Sequence, residues 1–236
     1  MNETPLTIML NKQELATIVC SPYAQKELVV GFLAGEGLIK KYSDITDYFH
    51  REKQEVVWVE TEDSDTAMEN FMGRNFGSCC GKSRPTLYFR NDSEQLRPLY
   101  GNARFSASEL QELIRQLDDG SDTFRMTGGV HSAALADNER ILIKYEDIGR
   151  HNALDRVLGH TIINGIATED KAVLLSGRIS SEMLIKAARI GTPVIVSRSA
   201  PTGLAIDLAE ELNITTVGFV RGNSMNVYSH PERIVR

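Results

Sequence analysis

Residues Ala172-Val173-Leu174-Leu175-Ser176-Gly177-Arg178-Ile179-Ser180-Ser181 and Val194-Ile195-Val196-Ser197-Arg198-Ser199 decide how this chain folds. Ala172 to Leu175 and Val194 to Val196 are short continuous apolar runs, as expected of strands buried on both faces, and Ser181 to Ile190 between them has the length and apolar spacing of a helix. The alternation extends outward. Ile141 to Tyr145 precedes a helix over Ala153 to Asn164, Val194 to Val196 precedes one over Leu204 to Leu212, and Thr216 to Val220 ends the series. Strands alternating with helices predict an α/β fold with a largely parallel sheet covered by helices.

Each of these strands leads into a loop of small, hydroxyl or glycine residues that carries an arginine. The loops are Glu146-Asp147-Ile148-Gly149-Arg150-His151-Asn152, Ser176-Gly177-Arg178, Ser197-Arg198-Ser199-Ala200-Pro201-Thr202 and Arg221-Gly222-Asn223-Ser224. In open α/β sheets the carboxyl ends of the strands form the ligand crevice, where helix N-termini present free N–H groups. Arg150, Arg178, Arg198 and Arg221 are therefore expected to converge on one anion, with planar donor forks suited to phosphate oxygens. The expected ligand carries several phosphates, as a nucleotide or pyrophosphate cofactor does. No G-x-G-x-x-G follows a strand, which disfavours a Rossmann dinucleotide site.

Toward the N-terminus, Leu6 to Leu10 and Leu15 to Val19 flank Asn11-Lys12-Gln13 and read as a hairpin. Ser21 and Pro22 suit the N-cap and first position of a helix running through Leu28, Phe32 and Leu33. A second strand pair is expected around Ile45 to Phe49 and Val56 to Val59. Composition then shifts toward Gly, Ser, Cys and Arg, which places a boundary near residue 72: a small α+β unit over 1–72 and the main α/β unit over 73–236. Ser106 and Glu109 form a capping box for a core helix with Leu110, Leu113, Ile114 and Leu117 on one face.

Composition narrows the function. With 26 Lys+Arg against 32 Asp+Glu the chain of 236 residues has a formal charge of -6 and no basic run, which argues against a nucleic-acid or membrane-surface binder. No apolar run approaches the ~18 residues of a membrane span and no signal pattern opens the chain, so a cytoplasmic protein is expected. Three cysteines do not make a disulfide framework. Cys20 reads as a core residue, whereas Cys79 and Cys80 lie in Phe76-Gly77-Ser78-Cys79-Cys80-Gly81-Lys82-Ser83-Arg84. Their Cα atoms are about 3.8 Å apart, below the roughly 4.4 to 6.8 Å of ordinary disulfides, so a bond between them would be strained. Lys82 and Arg84 favour thiolate, which suits a nucleophile, a persulfide carrier or a redox sensor. A P-loop is denied by Phe76 and Pro85, and zinc lacks local partner ligands. His131 in Thr127-Gly128-Gly129-Val130-His131 and His151 beside Arg150 are candidates for acid–base work. Glu182 reads as a dipole partner or a contact of Arg178, His230 as a C-terminal turn residue, and His50 and His160 as structural.

Taken together, Cys79-Cys80-Gly81-Lys82-Ser83-Arg84, Thr127-Gly128-Gly129-Val130-His131, Glu146 to Ala153, Ser176 to Glu182, Ser197 to Thr202 and Tyr228-Ser229-His230-Pro231-Glu232-Arg233 resemble the FdhD/NarQ family of formate dehydrogenase accessory proteins. The resemblance implies a sulfurtransferase that accepts sulfur from a cysteine desulfurase as a cysteine persulfide. That sulfur would pass to the molybdenum cofactor, as bis-molybdopterin guanine dinucleotide, on its way to formate dehydrogenase. It also implies a homodimer and a main domain similar to the cytidine deaminase fold. The family's common form is Cys-x-x-Cys-Gly. Here Gly77 stands three before Cys80 and the second thiol is the adjacent Cys79, so the persulfide is expected on Cys80 with Cys79 assisting or resolving. The family's cofactor segment maps onto Phe219, Val220, Arg221, Gly222, Asn223 and Ser224, joining Arg150, His151, Arg178, Arg198, Ser199 and His131 as expected cofactor contacts, with no metal held by side chains. Deamination is disfavoured, since His131 is followed by Ser132-Ala133 and the H-x-E and P-C-x-x-C pattern is missing. From a different class, the alternative is a non-catalytic insertion chaperone with a redox-sensing cysteine pair.

Overall fold

The computed structural model describes residues 2–62, 96–101 and 103–235. The cysteine loop, with Cys79, Cys80, Lys82 and Arg84, and the expected boundary near residue 72 lie outside the described residues.

β1 (Thr4–Leu10) and β2 (Gln13–Cys20) form the expected antiparallel hairpin. Its turn, Asn11-Lys12, has both residues at positive φ, the geometry that matches the twist of the flanking strands. Leu6, Ile8 and Leu10 alternate into the core. β3 (Ile45–Arg51) and β4 (Val56–Thr61) pair as expected, and β4 runs parallel to β1, completing a sheet ordered β2-β1-β4-β3.

Helix α1 (Gln25–Gly35) begins later than Ser21-Pro22 suggests, with Ala24 as its N-cap in the left-handed region. Tertiary bonds explain the delay: the Ser21 N–H donates to the Asp147 carboxylate at 2.9 Å, and the Ser21 and Tyr23 carbonyls accept from Arg156. The segment 21–23 is held in a bend, with Tyr23 N donating to Ser21 O at 2.9 Å, before the helix starts.

β5 (Phe105–Ser106) pairs parallel with β12 (Ile234–Val235) in a separate two-stranded sheet, and the main sheet is ordered β11-β10-β9-β8-β6-β7. It comprises β6 (His131–Ala136), β7 (Ile141–Asp147), β8 (Ala172–Leu175), β9 (Val194–Ser197), β10 (Thr215–Arg221) and β11 (Ser224–Ser229). Only β8, β9 and β10 are parallel neighbours; β6 lies antiparallel between β7 and β8, and β11 is antiparallel on the edge. The sheet is thus mixed where a largely parallel one was expected. Neither extra strand was read. β6 is mostly alanine and serine rather than β-branched, and β11 is reached through a tight turn instead of a helix.

Helix α2 (Ala107–Asp119) carries the expected capping box in both directions and buries Leu110, Leu113, Ile114 and Leu117 on one sheet face. The short α3 (Asp122–Thr127) follows it. On the other face lie α4 (Arg150–Asn164), α5 (Ser181–Ile190) and α6 (Gly203–Glu211). The alternation is strict: Leu135, Val173 and Ile195 belong to the second face, and Ala134, Leu174 and Val196 to the first. α1 crosses α4 at glycines. A Cβ on Gly31 would stand 1.7 Å from the Asp155 carbonyl oxygen and one on Gly159 1.9 Å from that of Glu27. This backbone approach joins the first sheet and α1 to α4 in one continuous apolar cluster.

Candidate functional site

The topology brings five chain segments to one sheet edge. β7, β8, β9 and β10 all end there, and the antiparallel β6 begins there, so His131 pairs with Asp147 and Ala133 with Leu175. These ends enclose a crevice of about 490 Å³ lined by His131, Ser132, Arg150, Ser176, Gly177, Arg178, Arg198, Ser199 and Arg221, and by Asp118, Ser121 and Phe124. The four arginines expected from the sequence therefore do line one cavity, together with Ser199 and His131.

Arg150 opens α4, whose N-cap Gly149 supplies no side-chain cap and whose first turn has no acidic residue. Its Nε is buried and takes no hydrogen-bond partner among the described residues. An unpartnered buried guanidinium donor is unfavourable unless a ligand completes it. The turn before it is rigid. Asp147 Oδ1 accepts from Gly149 N at 2.8 Å and Asn152 Nδ2 at 2.9 Å, while Oδ2 accepts from Ser21 N and from the fully buried Arg156. Tyr23 reinforces the same corner, its hydroxyl donating to the Glu146 carbonyl and accepting from the Glu146 N–H at 2.7 Å.

Gly177 makes room for close packing within the crevice, since a Cβ there would lie 3.2 Å from His131 Nδ1 and 3.7 Å from Arg150 Cβ. Ser132 N donates to Ser176 Oγ at 2.9 Å, and Ser199 N to Ser197 Oγ at 2.9 Å, fixing the loop backbones. Arg221 ends a distorted strand. The β10–β11 register shifts between Gly218 and Arg221, and Phe219 takes φ 53, a left-handed conformation that is strained for a bulky residue. Phe219 N donates to Ser199 O at 3.2 Å, and a Cβ on Gly218 would meet Pro201 at 2.8 Å. The distortion turns Phe219 outward, with the Arg221 guanidinium 5.7 Å from its ring centre, a cation–π pair.

Other expected contacts lie apart. Phe219 is outside the crevice lining, Val220 is buried in the core, and Gly222 and Asn223 of the exposed β10–β11 turn and Ser224 at the start of β11 also lie outside the lining. His151 is not in the lining; its Nε2 stands 3.0 Å from a Glu182 carboxylate oxygen. Glu182 is thus paired with His151. His230 sits between Glu210 and Glu232 at the C-terminal turn, and His160 bonds Tyr145. The sequence reading missed Asp118, Ser121 and Phe124, because α2 had been read only for its apolar face.

Burial, then the positive Arg150 and His151, hold His131 below the ordinary histidine range. Its folded value lies below its unfolded one, so this residue's contribution favours the fold above pH ~6.5 and declines as pH falls through that region. An anion in the crevice opposes the shift. Binding of inorganic pyrophosphate near pH 6 should therefore take up protons. Calorimetry in buffers of different ionisation enthalpy would show this, and His131→Gln should abolish it; uptake unchanged in the variant would place the proton elsewhere.

Among the described residues Cys20 is the free cysteine, and it is buried; burial above all pushes its thiol up to about 11. It is a core thiol, as expected, and far too weakly ionised near neutrality to act as a nucleophile. No helix among the described residues is long and apolar enough to cross a membrane.

Comparison with known proteins agrees with this geometry. The model of the FdhD/NarQ family matches residues 1–235. The chain is 47% identical over 235 residues to the sulfur carrier protein FdhD of Bacillus subtilis (strain 168), covering 99% of this chain and 89% of that protein. It is 44% identical over 236 residues to the protein of the same name from Staphylococcus aureus (strain MRSA252), covering 100% and 89%. A crystal structure described as a formate dehydrogenase accessory protein from Desulfotalea psychrophila superposes with a TM-score of 0.80 at 30% identity, over 99% of this chain and 90% of that one. A match along the whole chain, relatives well above the identity at which folds diverge, and a shared mixed α/β architecture lead to one conclusion: the chain belongs to the FdhD/NarQ family.

Proposed function

We propose that the protein is a sulfur carrier for formate dehydrogenase maturation, acting as a sulfurtransferase on a phosphate-bearing cofactor held in the arginine crevice. The observation that carries this reading is the convergence of Arg150, Arg178, Arg198 and Arg221 with His131 on one cavity of nucleotide-accommodating size. The orphaned Arg150 Nε supports it, as a donor suited to a phosphate oxygen. The cargo is bis-molybdopterin guanine dinucleotide, whose pyrophosphates match four guanidiniums. Phe219 and Arg221 lie where the family resemblance maps cofactor contacts, and the strained Phe219 backbone fits a segment shaped for binding.

In this reading the Cys80 thiolate attacks the outer sulfur of a cysteine desulfurase persulfide. The donor S–S bond breaks, the donor cysteine leaves as thiolate, and Cys80 becomes the persulfide with no net oxidation. Release of the outer sulfur as sulfide requires two electrons. The Cys79 thiolate supplies them by attacking Cys80 Sγ, and a thiol reductant then reopens the strained disulfide. The protein works as a cytoplasmic homodimer, with a small unit over 1–72 and a deaminase-like main unit over 73–236. Its partners are the desulfurase and formate dehydrogenase.

A second reading is the non-catalytic insertion chaperone with a redox-sensing cysteine pair, because a lining of arginines, serines and His131 suits it to hold an anionic cofactor without any thiol chemistry. Both readings need the arginines. Arg150→Ala with Arg221→Ala should weaken GDP binding about a hundredfold, from roughly 1.5 kcal/mol for each lost charge-assisted contact. Activation of formate dehydrogenase should fall with it. GDP bound equally well by the double variant would remove the basis for the crevice.

A further inference from the structure

The crevice is lined by two unlike sets of residues: Arg150, Arg178, Arg221 and His131 from the strand ends, and Asp118, Ser121 and Phe124 from the end of α2 and the start of α3. Asp118 brings a carboxylate into an anion site. Its Oδ2 accepts from Arg198 Nη1 at 2.8 Å, and its Oδ1 takes no hydrogen bond among the described residues. The side chain is 25% exposed, and burial raises the carboxyl above the ordinary aspartate range against the pull of Arg198. Phe124 belongs to the same set, with much of its ring exposed.

A carboxylate repels a ligand that is only an anion. It discriminates usefully when the ligand's other end presents donors, because an acceptor left unpaired penalises the wrong partner. An aspartate offers two acceptor oxygens side by side and no donor. Among heterocycles attached to phosphates, the 2-amino-4-oxopyrimidine edge presents the matching pair, a ring N–H next to an exocyclic amine. Guanine has this edge, and so does a pterin. Adenine offers an acceptor beside a donor, and hypoxanthine a single donor.

We infer that Asp118 is the specificity-determining residue of the crevice: its carboxylate accepts the paired N–H donors of a 2-amino-4-oxopyrimidine ring, with Phe124 against the ring face and the arginines on the phosphates. The inference rests on the crevice reading above and adds the residue that reads the ring. Arg198 positions the carboxylate through Oδ2 and leaves acceptor capacity on both oxygens.

The test is calorimetric binding of GDP, inosine diphosphate, ADP, xanthosine diphosphate, dihydroneopterin triphosphate and inorganic pyrophosphate to the full chain and to Asp118→Asn. Wild type should prefer GDP over inosine diphosphate by roughly tenfold or more, for one lost hydrogen bond to a charged group. The variant should lose that preference, bind pyrophosphate at least as well as wild type, and gain xanthosine diphosphate. An amide replaces one acceptor by a donor, as xanthine replaces the amine by a carbonyl. A purely structural role for Asp118 would not produce that exchange. Loss confined to GDP assigns guanine as the ring that is read, and loss confined to dihydroneopterin triphosphate assigns the pterin. Base selectivity unchanged for both, or GDP and pyrophosphate tightened together in the variant, overturns the inference and leaves Asp118 as a counter-charge to Arg198. No probe bound by wild type overturns the crevice reading as well.

Discussion

Arg156→Met should lower stability by about 3 to 5 kcal/mol, the loss typical of a buried ion pair deprived of one partner, and so shift the thermal midpoint by roughly 10 °C or more for a chain of this size. Arg156 and Asp147 are both fully buried, and their ion pair is one part of a closed network. The guanidinium also donates to the Ser21 and Tyr23 carbonyls, at 2.8 and 3.0 Å, and lies 4.7 Å from the Tyr23 ring centre. Methionine keeps much of the volume but leaves the Asp147 charge and two carbonyls without their partner. Adding Asp147→Asn should recover part of the loss, because a neutral amide needs no counter-charge; a double-mutant cycle in urea measures that coupling. Strictly additive effects would show that the ion pair is incidental. Arg115 makes ion pairs to Glu112 and Asp119 with equally short contacts but is 62% exposed, and Arg115→Met should scarcely move the midpoint. The buried node also bears on the proposed crevice. It fixes the Asp147 to Gly149 turn that presents Arg150, so any folded fraction of Arg156→Met should bind GDP more weakly.

The fold was legible where local pattern and tertiary demand coincide. The β1–β2 hairpin, the α2 capping box and the β8-α5-β9 unit follow from turn chemistry, capping and apolar runs that packing reinforces. Reading failed where a distant partner decides. Ser21-Pro22 has the local chemistry of a helix start, yet Asp147 and Arg156, more than a hundred residues away, take its backbone groups. β6 is recognisable as a strand only from its place between β7 and β8, since its alanines have little strand preference and are needed instead for close helix packing. The arginine set was legible because strand ends repeat in sequence, and the unread antiparallel β6 did not disturb it: β7 still points the same way as β8. Asp118 was invisible because a carboxylate at a helix end is ordinary, and only the fold sets it opposite Arg198.

Intact mass spectrometry after incubation with a cysteine desulfurase and cysteine should show wild type gaining one sulfur atom, Cys80→Ala gaining none, and Cys20→Ala gaining as much as wild type. The expected effect on Cys80→Ala is complete, because a persulfide needs a thiolate to form on. The three thiols differ in what surrounds them. Cys20 is fully buried with its thiol pushed up to about 11, so its thiolate fraction near neutrality is negligible. Cys79 and Cys80 have Lys82 and Arg84 near them in sequence, cations that favour thiolate over thiol. Cys79→Ala should still load sulfur but release it poorly, since in the proposed mechanism the second thiol supplies the electrons that turn sulfane sulfur into sulfide. Formate dehydrogenase activation would then fall while the mass gain stays. Sulfur retained on Cys80→Ala and lost from Cys79→Ala would reverse the assignment. No sulfur on any form, with the desulfurase active on another acceptor, would leave the arginine crevice as the working part of a chaperone that holds the cofactor without feeding it sulfur.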